Sequence, residues 1–320
     1  MTATALAHAN IALIKYWGKK DAALRLPLMN SISLTLDRLY TQTSFEFTNG
    51  PDQFFLNGQQ QKPKDSQRVF NYVQRLQKMF GVSGHFIVKS QNHVPTSAGL
   101  ASSSSAFAAL AGAFAQAYDL KLTKKQLSRL ARLGSGSAAR SIYGGFAEWQ
   151  MGNDLTSVAV PVQASAKLNM AMLVIELSSA KKKTSSTSGM QQAQTSPFYQ
   201  AWLDRNKLEI AAMKKALAAG DLEQVGRLAE LNASEMHAIN LTAQPGFTYF
   251  EPATIAVLKY VHELRAQGLP CYYTLDAGPN VKVICSLKNC KTLQQKFATR
   301  FPGAKMFVAT SGPGLVQFDR

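Results

Sequence analysis

The chain has 320 residues, 46% of them hydrophobic, which suits about two globular domains with buried cores. It contains no apolar run of the ~18 residues that a membrane helix needs, and its N-terminus, MTATALAHAN, lacks the charged and apolar regions of a signal peptide. The formal net charge of +16 indicates polyanionic partners, either nucleic acid or phosphorylated small molecules, although solubility alone would also explain it.

The first half of the chain mixes strand and helix patterns. LYTQTSFEF alternates as a strand does, and DQFFLNGQQQ contains Asn57-Gly58, a strong hairpin-turn signal. SQRVFNYVQRLQKMFG has apolar residues at helical spacing and ends in Gly81, which predicts a helix with a left-handed cap. The other elements predicted here are a strand in HFIVKS, a helix in LTKKQLSRLARLG from Thr123 to Gly134, and strands in GGFAEWQ and LNMAMLVIEL.

The second half begins with a change in composition. SSAKKKTSSTSGM, at 178–190, is polar, basic and rich in Ser and Thr, so we predict a loop. Strands and helices mix in both halves without regular βα alternation, which predicts an α+β fold of two domains, 1–175 and 176–320. The elements predicted after the loop are helices near 197–219, 221–240, 252–267 and 289–300, and strands in CYYTLDA, VKVICS, AKMFVA and GLVQF.

Four consecutive serines open an otherwise apolar helix in PTSAGLASSSSAFAALAGAFAQAY. Pro95 and Gly99 mark a loop, and Ser102–Ser105 fall in the first helical turn. One N-cap needs only one serine, whereas a run of hydroxyls and free N–H groups at the positive end of a helix suits an anion. The segment therefore predicts a phosphate site, with serines packed against a neighbouring element as the alternative.

Other short motifs fail on their context. GSGSAA, at 134–139, fits a dinucleotide pattern but follows a helix instead of a strand, and HELRA lacks the second histidine of a zinc protease. The chain has no P-loop, and none of its five histidines pairs at metal-ligand spacing. Its three cysteines form no CxxC pair, so we expect a reduced, cytoplasmic protein without a disulfide framework or zinc site.

Segments spread over nearly the whole chain resemble one enzyme family. PTSAGLASSSSAFAAL resembles the ATP loop of GHMP kinases, and NIALIKYWGKKD, MNSISLTL, GSGSAARSIYGGFAEW and YTLDAGPNV resemble the diphosphomevalonate decarboxylases of that superfamily. The resemblance implies a two-domain GHMP-kinase-like fold with a deep cleft. It also implies that ATP and 5-diphosphomevalonate give isopentenyl diphosphate, ADP, phosphate and carbon dioxide, with Mg²⁺, in a cytoplasmic homodimer without nucleic-acid or membrane partners.

The resemblance assigns four catalytic residues. Asp276 would orient the tertiary alcohol and accept its proton late, because a carboxylate of pKa ~3.9 cannot ionise such an alcohol beforehand. Lys15 would keep Asp276 ionised, Arg140 would hold the substrate carboxylate through its planar fork, and Ser103 would meet the transferred phosphate. From the residues alone, simpler interpretations stand beside these: a turn-forming Asp276, a snorkelling Lys15 and a surface Arg140.

The remaining assignments that the resemblance implies concern binding. No acidic residue is an obvious Mg²⁺ ligand, so we expect the metal on the phosphates of ATP, with water and serine hydroxyls. Lys182 and Ser186 lie in the polar segment 178–190, which in the family closes over the ligands. The substrate-binding residues would be Asn10, Tyr16, Lys19, Ser137, Arg140, Ser186 and Met190, and the ATP-binding residues Gly99, Ala101, Ser102, Ser103, Ser104 and Lys182.

Two other functions stay open at this point. A related GHMP kinase would phosphorylate mevalonate or its phosphate without releasing carbon dioxide, but it would not need Asp276, Lys15 and Arg140 together. A basic RNA-binding protein would suit the net charge, but the cluster at 181–183 has no interleaved aromatic residues to stack on bases. A product assay for carbon dioxide and an RNA titration separate these alternatives.

Overall fold

Two long antiparallel strands, β1 (Thr2–Ile14) and β4 (Ser31–Thr48), organise the first half of the chain in the computed structural model, which describes residues 2–94, 102–178 and 183–318. Their register shifts twice near the C-terminal end of β1, between His8 and Asn10 and between Ala12 and Ile14. Such irregularities bend a strand and redirect its side chains, here where β1 approaches the functional site.

Strands of the first half, joined by β14 of the second half, form an eight-stranded sheet in the order β14-β1-β4-β7-β5-β6, with β8 paired to β4 and β9 paired to β8, while β2 and β3 form a separate hairpin. The bounds are β2 (Lys19–Asp21), β3 (Leu26–Pro27), β5 (Gln53–Leu56), β6 (Gln59–Gln60), β7 (His85–Asn92), β8 (Phe146–Trp149), β9 (Ala159–Pro161) and β14 (Val316–Gln317). The predicted turn at Asn57-Gly58 is confirmed, since both residues have a positive φ.

Helices cover one face of this sheet. The apolar helix α2 packs on β1 and β4, and its Phe114 lies in the core against Phe45. Gly81 has a φ of 65° and ends α1, as predicted, and Thr123 starts α3 with a capping box. The bounds are α1 (Pro63–Phe80), α2 (Ser102–Ala117), α3 (Lys124–Gly134) and a 3₁₀ helix (Gly136–Ile142).

The second half forms a four-stranded antiparallel sheet in the order β11-β12-β10-β13. Its apolar face, with α5 and α6, shares a core with the end of β1, where Ile11 and Leu13 are fully buried. The bounds are β10 (Met170–Glu176), β11 (Cys271–Leu275), β12 (Val281–Ser286), β13 (Lys305–Ala309), α4 (Ser186–Ala193), α5 (Tyr199–Ala219), α6 (Leu222–Leu241), α7 (Pro252–Ala266), a 3₁₀ turn (Leu287–Asn289) and α8 (Cys290–Arg300).

The predicted α+β class is confirmed, whereas the loop predicted at 178–190 is partly wrong because α4 begins inside it. Ser185 caps that helix by accepting a hydrogen bond from Ser188 N at 3.1 Å, and Met190 and Ala193 bury its inner face. The domain division at residue 175 stays a prediction, although β10 spans it and pairs only with strands of the second sheet. In the described ranges, no helix is both long and apolar enough to cross a membrane.

Candidate active site

A cavity of about 400 Å³ lies between the two halves of the chain. The end of β1, the first turn of α2, the 3₁₀ helix, the start of α4 and the loop after β11 contribute to its lining. Ser104 does not line the cavity, and Gly99, Ala101 and Lys182 lie outside the described residues. The predicted site residues that do line it are Asn10, Lys15, Tyr16, Lys19, Ser102, Ser103, Ser137, Arg140, Ser186, Met190 and Asp276.

Asp276 lies directly after β11, in a turn closed by a hydrogen bond from Gly278 N to its own carbonyl oxygen at 2.8 Å. Lys15, the first residue after β1, places its Nζ 2.9 Å from Asp276 Oδ1, and Lys282 of β12 places its Nζ 3.2 Å from Oδ2. The main chain of Asp276 therefore takes part in a turn, while its carboxylate lies between two ammonium groups. The snorkelling interpretation of Lys15 is wrong, since this side chain is 2% exposed.

Burial and charge act in opposite directions on this cluster. Burial lowers the pKa of the Lys15 ammonium to about 8, against the opposing effect of Asp276. Burial alone would raise the pKa of the Asp276 carboxyl, but Lys15 and Lys282 together outweigh it and hold that pKa well below its usual range. At neutral pH Asp276 is therefore an ionised hydrogen-bond acceptor, and Lys15 carries a proton that it holds only weakly.

Arg140 is also buried, so its interpretation as a surface residue is wrong. Its Nε donates to Asn10 Oδ1 at 3.1 Å and to Ser33 Oγ at 2.9 Å, and its Nη1 donates to Ser31 Oγ at 2.5 Å. Burial lowers its pKa to about 10, which leaves it cationic at neutral pH. Within the described ranges, no carboxylate forms an ion pair with Arg140 and nothing accepts from its Nη2, so the guanidinium is fixed and still able to bind an anion.

Asn10 connects this arginine to the serine-rich segments. Its Nδ2 donates to Ser137 O at 3.0 Å and to Ser141 Oγ at 2.8 Å, which fixes the amide so that its Oδ1 accepts from Arg140. Its backbone N lies 3.4 Å from Ser104 Oγ, and Ser104 is fully buried. The structure thus places Ser104 in the packing beneath the cavity instead of on its surface.

The four serines differ in their surroundings. Two face the cavity, as a phosphate site would require, and two pack against neighbouring elements. Ser102 and Ser103 line the cavity at the N-terminus of α2. Ser103 Oγ lies 3.1 Å from Ser135 Oγ, which lies 3.4 Å from Ser137 Oγ, so hydroxyls extend from α2 to the 3₁₀ helix. Ser105, by contrast, is buried, with its Oγ 2.8 Å from Thr41 Oγ1. An anion at this end of α2 would meet two side-chain hydroxyls and the helix dipole.

Two arginines in the cavity wall were missed by the sequence analysis. Arg25 Nε donates to Leu133 O at 2.9 Å, and Arg68 Nη2 donates to Gly134 O at 3.0 Å, so both are anchored at the C-terminus of α3. Burial and the neighbouring Arg25 lower the pKa of Arg68 to about 10. Arg68 belongs to an ordinary amphipathic helix and Arg25 to a short turn, where it has a φ of 53°, so no local pattern distinguishes either of them.

Tyr16 and Lys19 complete this polar side of the cavity. The Tyr16 hydroxyl is buried without a hydrogen-bond partner among the described residues, and its ring packs edge-on against Trp149 with centroids 4.6 Å apart. Burial raises the pKa of Tyr16, so the hydroxyl stays protonated and available as a donor. Gly136 is required beneath these rings, since a Cβ there would lie 2.8 Å from Trp149. Lys19 Nζ reaches to 3.4 Å from Thr187 Oγ1 of α4.

The charge of the lining defines the kind of ligand. Among the described residues it contains the cations Lys15, Lys19, Arg25, Arg68 and Arg140 but a single carboxylate, Asp276. Such a cavity suits a small molecule with several anionic groups. The described part of the chain has no cluster of three His, Cys, Asp or Glu residues able to hold a metal. That a divalent cation binds on the phosphates of ATP, with serine hydroxyls beside it, stays a prediction.

Both halves of the chain match models of known protein families. Residues 7–160 match a diphosphomevalonate decarboxylase-like N-terminal domain, and residues 172–313 match a mevalonate 5-diphosphate decarboxylase C-terminal domain. Among curated proteins, the diphosphomevalonate decarboxylase of Schizosaccharomyces pombe is 38% identical over 88% of this chain and 77% of its own.

Two solved structures are similar to this chain over nearly its full length. The crystal structure of mevalonate diphosphate decarboxylase from Staphylococcus aureus is 44% identical, with a TM-score of 0.96 over 99% of this chain and 98% of its own. A complex of MDDEF with MVAPP, AMPPCP and magnesium is 43% identical, with a TM-score of 0.95 over 100% of this chain and 99% of its own. The fold of this chain therefore has counterparts in a mevalonate diphosphate decarboxylase and in a protein solved with MVAPP, AMPPCP and magnesium.

Proposed function

We propose that this chain, which belongs to the diphosphomevalonate decarboxylase family, converts ATP and 5-diphosphomevalonate to isopentenyl diphosphate, ADP, phosphate and carbon dioxide. The observation that carries the proposal is that one cavity contains both the ionised Asp276 and a buried Arg140, which forms no ion pair with a carboxylate of the described residues. The first provides an acceptor for an alcohol proton, and the second provides a fixed partner for a carboxylate. A decarboxylase of this substrate needs both groups in one cavity.

The substrate would lie with each of its three polar groups against a different part of the lining. Its carboxylate would bind Arg140 Nη2, and its tertiary alcohol would donate to Asp276. Its diphosphate would lie among the donors at the opposite side of the cavity, and an apolar wall would contact its methyl group. The diphosphate donors would be Tyr16, Lys19, Arg25, Arg68 and Ser137, and the wall would include Trp17, Met190 and Met236.

The first chemical step is phosphorylation of the alcohol. Its oxygen forms a bond to the terminal phosphorus of ATP, the bond from that phosphorus to ADP breaks, and the alcohol proton passes to Asp276. Since Lys15 and Lys282 make this carboxylate a weak base, the proton moves late, when the new bond has made the alcohol oxygen acidic. Asp276 therefore contributes by orienting the alcohol as well as by accepting its proton.

In the second step the carbon–oxygen bond of the new phosphate ester breaks and phosphate leaves with its electron pair. The bond to the carboxylate carbon then breaks, its electrons form the double bond, and carbon dioxide departs. The carboxylate must be held in line with the developing empty orbital for this to occur. Arg140 would do so rigidly, since Asn10, Ser31 and Ser33 already fix its guanidinium.

ATP would bind with its phosphates at the N-terminus of α2, beside Ser102 and Ser103, and Ser104 would support that turn from below. Gly99, Ala101, Lys182 and Ser186 stay proposed contacts for ATP and substrate. Mg²⁺, carried by the phosphates and serine hydroxyls, would supply neutralising charge to the transferred group. On the family resemblance alone, we further propose that the protein is cytoplasmic and forms a homodimer. Sedimentation of the purified protein would test the dimer.

The whole proposal is tested by counting products. Purified enzyme with ATP and 5-diphosphomevalonate should release ADP and carbon dioxide in a one-to-one ratio from the first turnover. The competing function, a GHMP kinase that stops after phosphorylation, would release ADP without carbon dioxide. The proposal would also be refuted if the enzyme released neither product with 5-diphosphomevalonate but released ADP with mevalonate.

Ser103→Ala is expected to lower kcat about a hundredfold without unfolding the protein, because removing one preorganised donor to a transferring phosphate costs roughly 3 kcal/mol. The matched control is Ser105→Ala in the same helical turn. Ser105 bonds to Thr41 in the core, so its loss should lower the melting temperature and leave kcat within a few-fold. Equal effects of the two substitutions on kcat would show that Ser103 does not bind the transferred phosphate.

Arg68→Met is expected to raise the KM for 5-diphosphomevalonate by roughly 10- to 100-fold, the cost of one hydrogen bond between charged groups, while kcat changes less. Arg75→Met on the same helix is the control, since Arg75 donates to Ala23 O outside the cavity. Steady-state kinetics with varied substrate at saturating ATP provides the measurement. An unchanged KM in Arg68→Met would place the diphosphate elsewhere.

A further inference from the structure

Lys282 is a buried lysine that neither the sequence motifs nor the cavity lining assigns to the reaction. It lies in β12 between Val281 and Val283, opposite Val174 of β10 and Thr274 of β11, in the interior of the second sheet. It is 1% exposed. Burial of an ammonium group is costly unless a partner offsets it, and an apolar residue would suit this position of the sheet better. The lysine must therefore be explained by its partner.

That partner is the same carboxylate that Lys15 binds. Lys282 Nζ lies 3.2 Å from Asp276 Oδ2, while Lys15 Nζ lies 2.9 Å from Oδ1. Lys282 Nζ also lies 3.4 Å from Asn280 O, and Lys15 Nζ lies 2.8 Å from Ala12 O. Two ammonium groups from different parts of the chain thus lie within ion-pair distance of the two oxygens of one carboxylate.

We propose that Lys282 is a positioning residue of the reaction, which orients the second oxygen of Asp276 and, by competing with Lys15 for one carboxylate, makes Lys15 lose its proton more readily. The proposal rests on the function proposed above for Asp276. One negative charge cannot fully compensate two positive charges beside it, so the ammonium of Lys282 weakens the hold of Lys15 on its proton.

The other charged groups around Lys15 act in the same direction. Arg140 of the 3₁₀ helix is cationic, and His237 of α6 is neutral because burial and Lys15 lower its pKa to about 3. Lys282 and Arg140 both contribute to lowering the pKa of Lys15 to about 8, after burial. The free enzyme therefore carries surplus positive charge that an anionic substrate would compensate.

The test is the pH dependence of kcat/KM, which reports the groups of the free enzyme and free substrate. We expect the wild-type value, measured by quenched ADP release from pH 6 to 10, to fall above about pH 8 as Lys15 deprotonates. In Lys282→Met the fall should move up by about one pH unit, since a neighbouring positive charge is lost. Lys282→Arg, which keeps the charge, should stay near the wild type, and Lys15→Arg should show no fall in this range.

A folded Lys282→Met enzyme whose pH profile matches the wild type overturns the proposal, because a purely structural lysine would not change that profile. The proposal is also overturned if the fall in kcat/KM moves as far up the pH scale in Lys282→Arg as in Lys282→Met. The proposed function is judged separately, by loss of turnover in Asp276→Asn: turnover that survives there would refute the role of Asp276 and leave the measurement on Lys282 valid.

A second measurement decides the question if Lys282→Met does not fold. In Asp276→Asn Lys15 loses its counter-ion while the ammonium of Lys282 stays nearby, so the folded-state pKa of Lys15 falls further below the unfolded value of ~10.4. The folded state then binds fewer protons, and the melting temperature should rise between pH 7 and 10. Adding Lys282→Met should reduce that rise markedly. The same rise in the single and the double variant would refute the proposed charge competition.

Discussion

Asp276→Asn is expected to abolish the release of ADP and of carbon dioxide together, with kcat lowered by at least about a thousandfold. The amide keeps the shape of the carboxylate but cannot take a proton, so phosphorylation of the alcohol fails and the later step has no substrate. Both products are measured in the same quenched reaction. Substrate affinity, measured by calorimetry, should be retained, because the diphosphate and carboxylate bind elsewhere and one negative charge has been removed from the cavity.

Two results would contradict this expectation in different ways. ADP release at the wild-type rate would show that Asp276 accepts no proton and would favour its turn-forming role alone. ADP release without carbon dioxide would show that Asp276 acts in the second step, the loss of phosphate and carbon dioxide. Asp37→Asn is a control for loss of a carboxylate: Asp37 accepts from Thr310 N at 2.8 Å, away from the cavity lining, and its substitution should affect stability more than kcat.

Arg140→Lys is expected to lower kcat/KM about a thousandfold and to weaken substrate binding, although the charge is kept. Lysine has one donor group at a different position, so it loses the planar fork and leaves acceptors on Asn10, Ser31 and Ser33 unpaired. Breaking a buried, hydrogen-bonded charge contact costs about 2–5 kcal/mol. Kinetics and a substrate titration on the same preparation separate the loss of turnover from the loss of binding.

Arg132→Lys is the matched control for that experiment. Arg132 is fully buried too, but its guanidinium binds Asp154 and the carbonyl of Ser157, and none of these three residues lines the cavity. Its substitution should lower the melting temperature and leave the kinetic constants of the folded enzyme close to wild type. If both variants lose activity in the same proportion as they lose stability, Arg140 is a structural residue and the substrate carboxylate binds another group.

Local signals in the sequence predicted the parts of the fold that local chemistry determines. The turn at Asn57-Gly58, the cap at Gly81 and the helix start at Thr123 each depend on a few neighbouring residues, and all are confirmed. The length of β4, 18 residues, was not predicted, because it depends on pairing with β1, β7 and β8, which lie far away in the chain. Short-range patterns carry no information about those partners.

The same distinction explains what was found and missed in the site. Asp276, Lys15 and Arg140 follow from family motifs, and the structure brings all three to one cavity. Lys282 was missed because V-K-V looks like a strand with one solvent-facing residue, and only the carboxylate at the end of the adjacent strand explains its burial. Arg68 was missed for a comparable reason, since a polar residue on an amphipathic helix is usually solvated.

The position of β14 has a consequence for how the protein is made. Ala5 and Leu6 of β1 pair with Gln317 and Val316, so β1 cannot complete its pairing until residues more than 300 positions further along the chain have been synthesised. Until residues 316–317 emerge, that side of β1 is an open sheet edge, and nascent chains with open edges are prone to pair with each other. Completion of the first sheet is therefore coupled to synthesis of the second half, and Lys15, for which we propose a role in the reaction, directly follows the strand that is completed last.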